Sequence, residues 1–147
     1  MELGLKGKTA LVTGASAGIG RAIAKGLARE GIRLCIAARR RELLEELSGE
    51  IVAEGGIKPE IATVDLLQPT APKELANDAI RRLGRVSILV NSAGGGTGSR
   101  RWMEEPDDHW IEAMTLNFTQ MRRLTIAVVP DMIKHQWGRI INVSGKA

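Results

Sequence analysis

Short apolar runs rich in β-branched residues alternate along this chain with longer stretches whose apolar positions recur at three- and four-residue steps. The runs are Thr9–Thr13, Leu34–Ala38, Ile61–Val64, Ile88–Asn91 and Arg139–Val143. Near-continuous runs of this kind predict strands buried on both faces of a parallel sheet. Between them, Ile19, Ala22, Ile23, Gly26 and Leu27 predict the inner face of a first helix, stopped by Gly31. Leu43, Leu44, Leu47 and Ile51 predict a second helix, ended by Gly55-Gly56, and Leu75, Ala79, Ile80 and Leu83 a third, ended by Gly84. The fourth pattern is the longest, with Trp110, Met114, Asn117, Met121, Leu124 and Val128 on one stripe and Pro130 marking an irregularity or the helix end. Strand–helix alternation implies right-handed βαβ units and a doubly wound α/β sheet. No internal repeat or low-complexity segment interrupts it.

Length and composition narrow the class. The 147 residues amount to one domain with its own core, and 44% apolar with 26% charged residues excludes a disordered or fibrous chain. One cysteine, Cys35, excludes an internal disulfide framework and a four-cysteine zinc site, and no metal site is expected. The start, Met1 to Lys6, lacks the apolar core of a signal peptide, and no apolar stretch approaches a membrane span, so a cytoplasmic protein with no membrane partner is expected. A net charge of +4 favours anionic partners without separating nucleic acid from nucleotide. There is no tyrosine.

The first run leads into Thr13-Gly14-Ala15-Ser16-Ala17-Gly18-Ile19-Gly20, where the first helix begins. Missing side chains in such a turn let backbone approach a pyrophosphate, whose charge meets the unpaired N–H groups of the helix N-terminus. The last glycine permits close packing of helix on strand. A tight turn of small residues with no ligand would look similar, but the strand before, the helix after and the following βαβ unit are the context that dinucleotide binding requires.

Glycines at 14, 18 and 20, together with Asn91-Ser92-Ala93-Gly94 after the fourth run, resemble the short-chain dehydrogenase/reductase family. That family carries Thr-Gly-x-x-x-Gly-x-Gly at the first turn and Asn-Asn-Ala-Gly after the fourth strand; Ser92 replaces the second asparagine. Asn117 and the run Gly138 to Ser144 also fall where the family pattern places them. The resemblance covers the whole chain. It implies a Rossmann-like sheet of five visible strands in the order 3-2-1-4-5, cut before the family's later strands. Residues 1–147 are then a single NADP(H)-binding domain, expected to be the N-terminal part of a longer catalytic domain.

Cofactor preference is read at the end of the second strand, Ala37-Ala38-Arg39-Arg40-Arg41. An acidic residue there holds the ribose hydroxyls of NAD, whereas an arginine accommodates the NADP phosphate. Ala38 stands where NAD-type members keep the acid, and Arg39 follows at the position resembling the NADP type, with Arg40 beside it. NADP(H) is expected over NAD(H). A solvated helix start is the other reading of these arginines, although cations there oppose the helix dipole. Ser16 stands beside the same ribose. Asp65, followed by Leu66, resembles the family's acid for the adenine amino group; the alternative is an acid at a helix start. Asn91, Ala93 and Gly94 lie at a strand's C-terminal end, the ligand side of an open α/β sheet. The loop from Gly95 to Ser99 is expected to border the nicotinamide.

The family reduces carbonyls or oxidises alcohols by hydride transfer, with a tyrosine of Tyr-x-x-x-Lys moving the proton, a serine orienting the substrate oxygen and an asparagine supporting a water relay. Asn117 matches the asparagine; an amide in an apolar stripe costs a few kcal/mol, on the order of 2–7, unless paired. It could equally satisfy a helix kink. In Val143-Ser144-Gly145, Gly145 takes the usual serine position, so either Ser144 substitutes through a local shift or the site lacks the hydroxyl. The tyrosine is missing and Lys146 comes too soon to be its partner. His109, His135, Lys134 and Cys35 have no spacing that replaces them: the histidines read as solvated helix ends and Cys35 as a small core residue.

The expected partners are a nicotinamide dinucleotide, a small carbonyl or alcohol substrate, and further copies of the chain in a dimer or tetramer. With no strand beyond the fifth, that strand is a bare edge and the fourth helix lacks cover. A nucleotide-binding module without redox chemistry is the competing reading should the chain end at 147. A nucleic-acid binder is disfavoured: the doublets Arg81-Arg82, Arg100-Arg101 and Arg122-Arg123 are scattered, and one phenylalanine with no tyrosine leaves little stacking surface.

Overall fold

A strand without one exposed residue belongs in the middle of a sheet, and Thr9–Thr13 (β1) is such a strand. In the computed structural model, which describes residues 2–96 and 102–145, Arg33–Ala38 (β2) and Ile88–Asn91 (β4) flank it, both parallel. Glu60–Thr63 (β3) adds outside β2 and Arg139–Asn142 (β5) outside β4, giving the parallel order β3-β2-β1-β4-β5. This is the Rossmann-like sheet expected, and each strand falls within one residue of its apolar run.

Successive residues of a strand face opposite sides, so the crossovers build a core on each. Gly18–Arg29 (α1) and Arg41–Ala53 (α2) cover Ala10, Val12, Leu34 and Ile36, while Ala71–Leu83 (α3) covers Leu11, Ala37 and Leu89 from the other side. Full burial of Leu11, Leu34, Ile36 and Leu89 stabilises the fold by about 1.5–3 kcal/mol each. Cys35 is part of this core, and burial pushes its thiol up to about 12.

The inner face of α1 differs from the expected stripe. Gly20, Ala24 and Ala28 are buried, whereas Ile19 is 62% exposed and Ala22 and Gly26 face solvent. The largest side chains are not the innermost because small residues let α1 approach the sheet closely. The outer side of α1 is zipped to α2: Arg21 meets Glu50 at 2.5 Å, Lys25 meets Glu50 at 2.9 Å and Glu54 at 2.7 Å, and Arg29 meets Glu54 at 3.0 Å. Hydrogen bonds from Lys25 hold both carboxyls below the usual carboxylate range. Their contribution is present at neutral pH and is lost as acid protonates them.

The long fourth pattern is not one helix. Asp107–Met114 (α4) passes through a π-helical turn, Thr115–Thr119, into Gln120–Lys134 (α5). Gln120, Leu124, Val128 and Met132 face the core at four-residue steps, while Trp110 and Met114 are 48% and 56% exposed. The single stripe therefore fails at its N-terminal half, where the extra residue of the π turn turns the helix surface away from the sheet. Pro130 lies inside α5. The fifth strand is, as expected, an exposed edge among the described residues.

Gln136 ends α5 in the left-handed region, φ +54°. Gln136 N–H donates to Ile133 O and Trp137 N–H to Met132 O, the same closing pattern that Gly31 and Ile32 make on Ala28 and Leu27 after α1. Glycine holds that position after α1, and a glutamine there carries the Cβ strain that glycine avoids. Gln136→Gly is expected to raise stability by about 0.5–1 kcal/mol, read as a Tm about 1–4 °C higher in thermal denaturation.

Arg81 and Arg82 pair with Asp78, and Arg82 also with Glu60, so this doublet is already neutralised. Arg100, Arg101, Lys146 and the loop residues 97–99 lie outside the described residues. Among those described, no helix is long and apolar enough to cross a membrane and no group of three metal-ligating side chains occurs.

Candidate functional site

The C-terminal ends of β1, β2, β4 and β5 open on one cleft of about 1050 Å³. It lies where strand order reverses about β1, the usual ligand position in such sheets. Of the residues singled out from sequence, Gly14, Ser16, Ile19, Gly20, Arg39, Arg40, Leu66, Asn91, Ala93, Gly94, Asn117 and Ser144 line it. Gly18 and Asp65 do not. Asp65 is exposed and its Oδ1 accepts the Leu67 N–H at 3.0 Å in a turn; no helix starts there, because α3 begins at Ala71, so the helix-start reading does not hold.

The glycine turn is built for close backbone. A Cβ on Gly14 would stand 2.7 Å from the Ser92 carbonyl oxygen, and Gly14 has φ +63°. A Cβ on Gly20 would collide with the Gly14 carbonyl and come within 3.1 Å of Ser92 Oγ. The helix that follows has Ala17 at its N-cap, with no side-chain cap and no acid in its first turn. Its first N–H groups and the positive end of its dipole therefore face the cleft unsatisfied.

Opposite this turn, residues 92–95 are held from several sides. Thr13 Oγ1 accepts Ser92 N–H at 3.2 Å and Ala93 N–H at 3.1 Å, tying the end of β1 to the end of β4. Asn117, in the π turn, grips Gly95 by both backbone groups: Nδ2 donates to Gly95 O at 2.9 Å, and Gly95 N–H donates to Oδ1 at 3.0 Å. Nδ2 also donates to Ala113 O at 2.9 Å, so both donors of the amide are used. Asn117 is exposed in the cleft wall, not buried in an apolar stripe. Its hydrogen bond to Ala113 O, beside the irregular turn, agrees with the helix-kink reading left open for it.

Asn91 Nδ2 donates to Asn142 Oδ1 at 2.9 Å and to Thr125 Oγ1 at 3.3 Å, while its own Oδ1 is buried with no partner among the described residues. A buried acceptor in a cleft wall calls for a donor from outside the chain. Ser144 and Gly145 both reach the cleft, and a Cβ on Gly145 would meet nothing within 4 Å. Space for a second hydroxyl exists at 145, and glycine leaves it empty.

Arg39 and Arg40 are the only charged side chains in the described lining, and no acid stands at the end of β2. Neither guanidinium has a hydrogen bond or ion pair among the described residues, unlike Arg41, which pairs with Glu45 at 2.8 Å. Thr13, Gln120 and Asn142 brace the site as well, without a motif to mark them. Their signal was a polar residue closing an otherwise apolar strand or stripe.

Compared with known proteins, residues 8–147 match the family model described as short chain dehydrogenase. The chain belongs to the short-chain dehydrogenase family. It is 41% identical to a short chain dehydrogenase of Pseudocercospora fijiensis, over 95% of this chain and 45% of that protein. It is 38% identical to a fatty acyl-CoA reductase of Acinetobacter baylyi, over 95% of this chain and 48% of the relative. A solved metagenomic short-chain oxidoreductase in complex with NADP superposes with a TM-score of 0.91 at 37% identity, covering 97% of this chain and 64% of that one. A 7 alpha-hydroxysteroid dehydrogenase complexed with NADH and 7-oxo glycochenodeoxycholic acid gives 0.89 at 33% identity, covering 96% and 54%. The chain spans about half the length of these two curated relatives. Both kinds of nicotinamide dinucleotide thus occur among structures similar to this short-chain dehydrogenase domain.

The residues present fit such a cofactor. The uncapped start of α1, the cradle at Gly14 and Gly20 and the orphaned Asn91 Oδ1 are features of one cleft, and each suits a polyanionic, hydroxyl-bearing ligand.

Proposed function

We propose that this domain is the cofactor-binding, N-terminal portion of an NADP(H)-dependent short-chain dehydrogenase acting on a small carbonyl or alcohol substrate. The observation that carries it is the charge of the cleft: its described lining has two arginines at the end of β2 and no acid. The α1 N-terminus and the backbone at Gly14, Ser16, Ile19 and Gly20 hold the pyrophosphate, and Arg39 and Arg40 hold the added phosphate, with NAD(H) the weaker ligand. Leu66 borders the adenine, and Asn91, Ala93 and Gly94 the ribose beside the nicotinamide. NADP-bound and NADH-bound relatives support a nicotinamide cofactor, and the arginines favour the phosphorylated form.

Bound there, the nicotinamide supplies or accepts a hydride. The chain's own contribution is orientation. Ser144, exposed at the end of β5, is the hydroxyl within this domain for the substrate oxygen. Asn117 has used both donors, so it acts on a water through the second lone pair of Oδ1 while fixing Gly95. The empty space at Gly145 favours a second reading, a nucleotide-binding domain without redox chemistry.

Exposed Trp110, Ile111, Met114, Phe118, Ile126 and Ile133 along α4, the π turn and α5 support a homo-oligomer, dimer or tetramer, as part of the same proposal. A cytoplasmic location also belongs to it.

Titrating the protein with NADPH under nicotinamide fluorescence is expected to saturate at concentrations on the order of 1–100 µM. No saturable signal with either NADPH or NADH overturns the reading. Binding without turnover of any carbonyl or alcohol favours the second.

A further inference from the structure

Gln120 opens α5, and its side chain is 0% exposed, in a stripe otherwise made of Leu124, Val128 and Met132. Its Nε2 donates to Leu116 O at 2.9 Å and to Ala93 O at 3.2 Å. Its Oε1 is buried with no partner among the described residues. The two carbonyl acceptors fix the amide orientation, since the opposite one would set oxygen against both. A methionine of similar length would fill the same space and leave no orphaned oxygen.

What the amide adds is a grip on the cleft. The Ala93 peptide is held by Thr13 Oγ1 at its N–H and by Gln120 Nε2 at its C=O, so the sheet and α5 clamp it from two sides. One π turn links Gln120 to Asn117, which holds Gly95 two residues further on. A Cβ on Gly94, between them, would come within 2.8 Å of Asn117 Oδ1. Turn 93–95 thus takes its position from a helix that reaches it through two amides.

We infer that Gln120 is a positioning residue for the dinucleotide, setting the Ala93–Gly95 backbone of the cleft wall without touching the ligand itself. The inference rests on the proposed nicotinamide-dinucleotide site and adds a residue to it. Because this backbone lies away from Arg39, its loss weakens NADPH and NADH alike. One neutral hydrogen bond corresponds to about a fivefold to tenfold loss of affinity.

The test is Gln120→Met in the protein as expressed, with thermal melting and fluorescence titration of both dinucleotides. The expected result is a folded variant with a cooperative melt and NADPH and NADH affinities lowered by the same factor, about fivefold to tenfold. Affinities equal to wild type in a folded variant overturn the inference; a wild type that binds neither dinucleotide instead overturns the proposed function. A second readout needs no variant. This chain has three glutamines, of which Gln68 and Gln136 are exposed. With side-chain ¹⁵N label, the buried glutamine amide protons should exchange slowly and shift on NADPH addition. A slowly exchanging glutamine amide that does not move at saturation overturns the inference, even if the methionine variant fails to fold.

Discussion

Gly14→Ala is expected to cost the fold about 3 kcal/mol or more and to remove measurable dinucleotide binding. Two independent costs meet at this residue. At φ +63° any side chain carries left-handed strain, on the order of 1–2 kcal/mol. The new Cβ would also stand 2.7 Å from the Ser92 carbonyl oxygen and 2.8 Å from Ala93 N, which are backbone atoms and cannot swing away. Relief requires β1 and the turn after β4 to separate, and Thr13 holds them together through the N–H groups of those same two residues. A domain of this size responds with a Tm lower by about 6–12 °C. Calorimetry should show the lowered transition, and titration of the folded variant at low temperature should show no saturation with NADPH. A variant with wild-type Tm and affinity would mean that the two turns are not packed as described.

Arg39→Ala should separate the two dinucleotides. The guanidinium is exposed, has no ion pair or hydrogen bond among the described residues, and reaches the cleft at the end of β2. A hydrogen bond to a charged partner contributes about 1.5–3 kcal/mol, so NADPH affinity is expected to fall about 10- to 150-fold. NADH has no phosphate for it to hold and should change less than about twofold. Stability should be unchanged, because removing an exposed, unpaired cation usually stays within about 0.5 kcal/mol. Equal losses for both dinucleotides would remove the phosphate from the account.

These effects were legible in the sequence to different degrees. The sheet was readable because strands buried on both faces must be continuously apolar, and β1, β2 and β4 are. The glycine turn and Arg39 were readable because each depends on residues adjacent in the chain. Helix faces were less so. In α1, hydrophobic size pointed to Ile19, but closeness to the sheet favoured Gly20, Ala24 and Ala28. In the fourth pattern, no residue type announces a π turn, so the spacing alone puts Asn117 in the apolar stripe and leaves Gln120 unmarked. The contacts of Asp65 with Leu67, of Thr13 with Ser92, and of Gln120 with Ala93 were equally hidden, because they depend on which backbone groups secondary structure leaves unpaired. Substrate shape was not readable, since few of the residues that would form that pocket are in this half of the family's length.

The π turn also keeps two jobs of one long helical segment apart. Each added residue advances a helix by about 100°, so one surplus residue between Met114 and Gln120 puts the apolar rows of α4 and α5 out of phase. The front half can then offer Trp110, Ile111 and Met114 to solvent or a neighbour while the rear half stays docked on the sheet. A shortening of the chain by one residue there would bring the rows back into alignment and swing Asn117 off Gly95. Insertions and deletions should therefore be tolerated on the outer loops long before they are tolerated in this five-residue stretch.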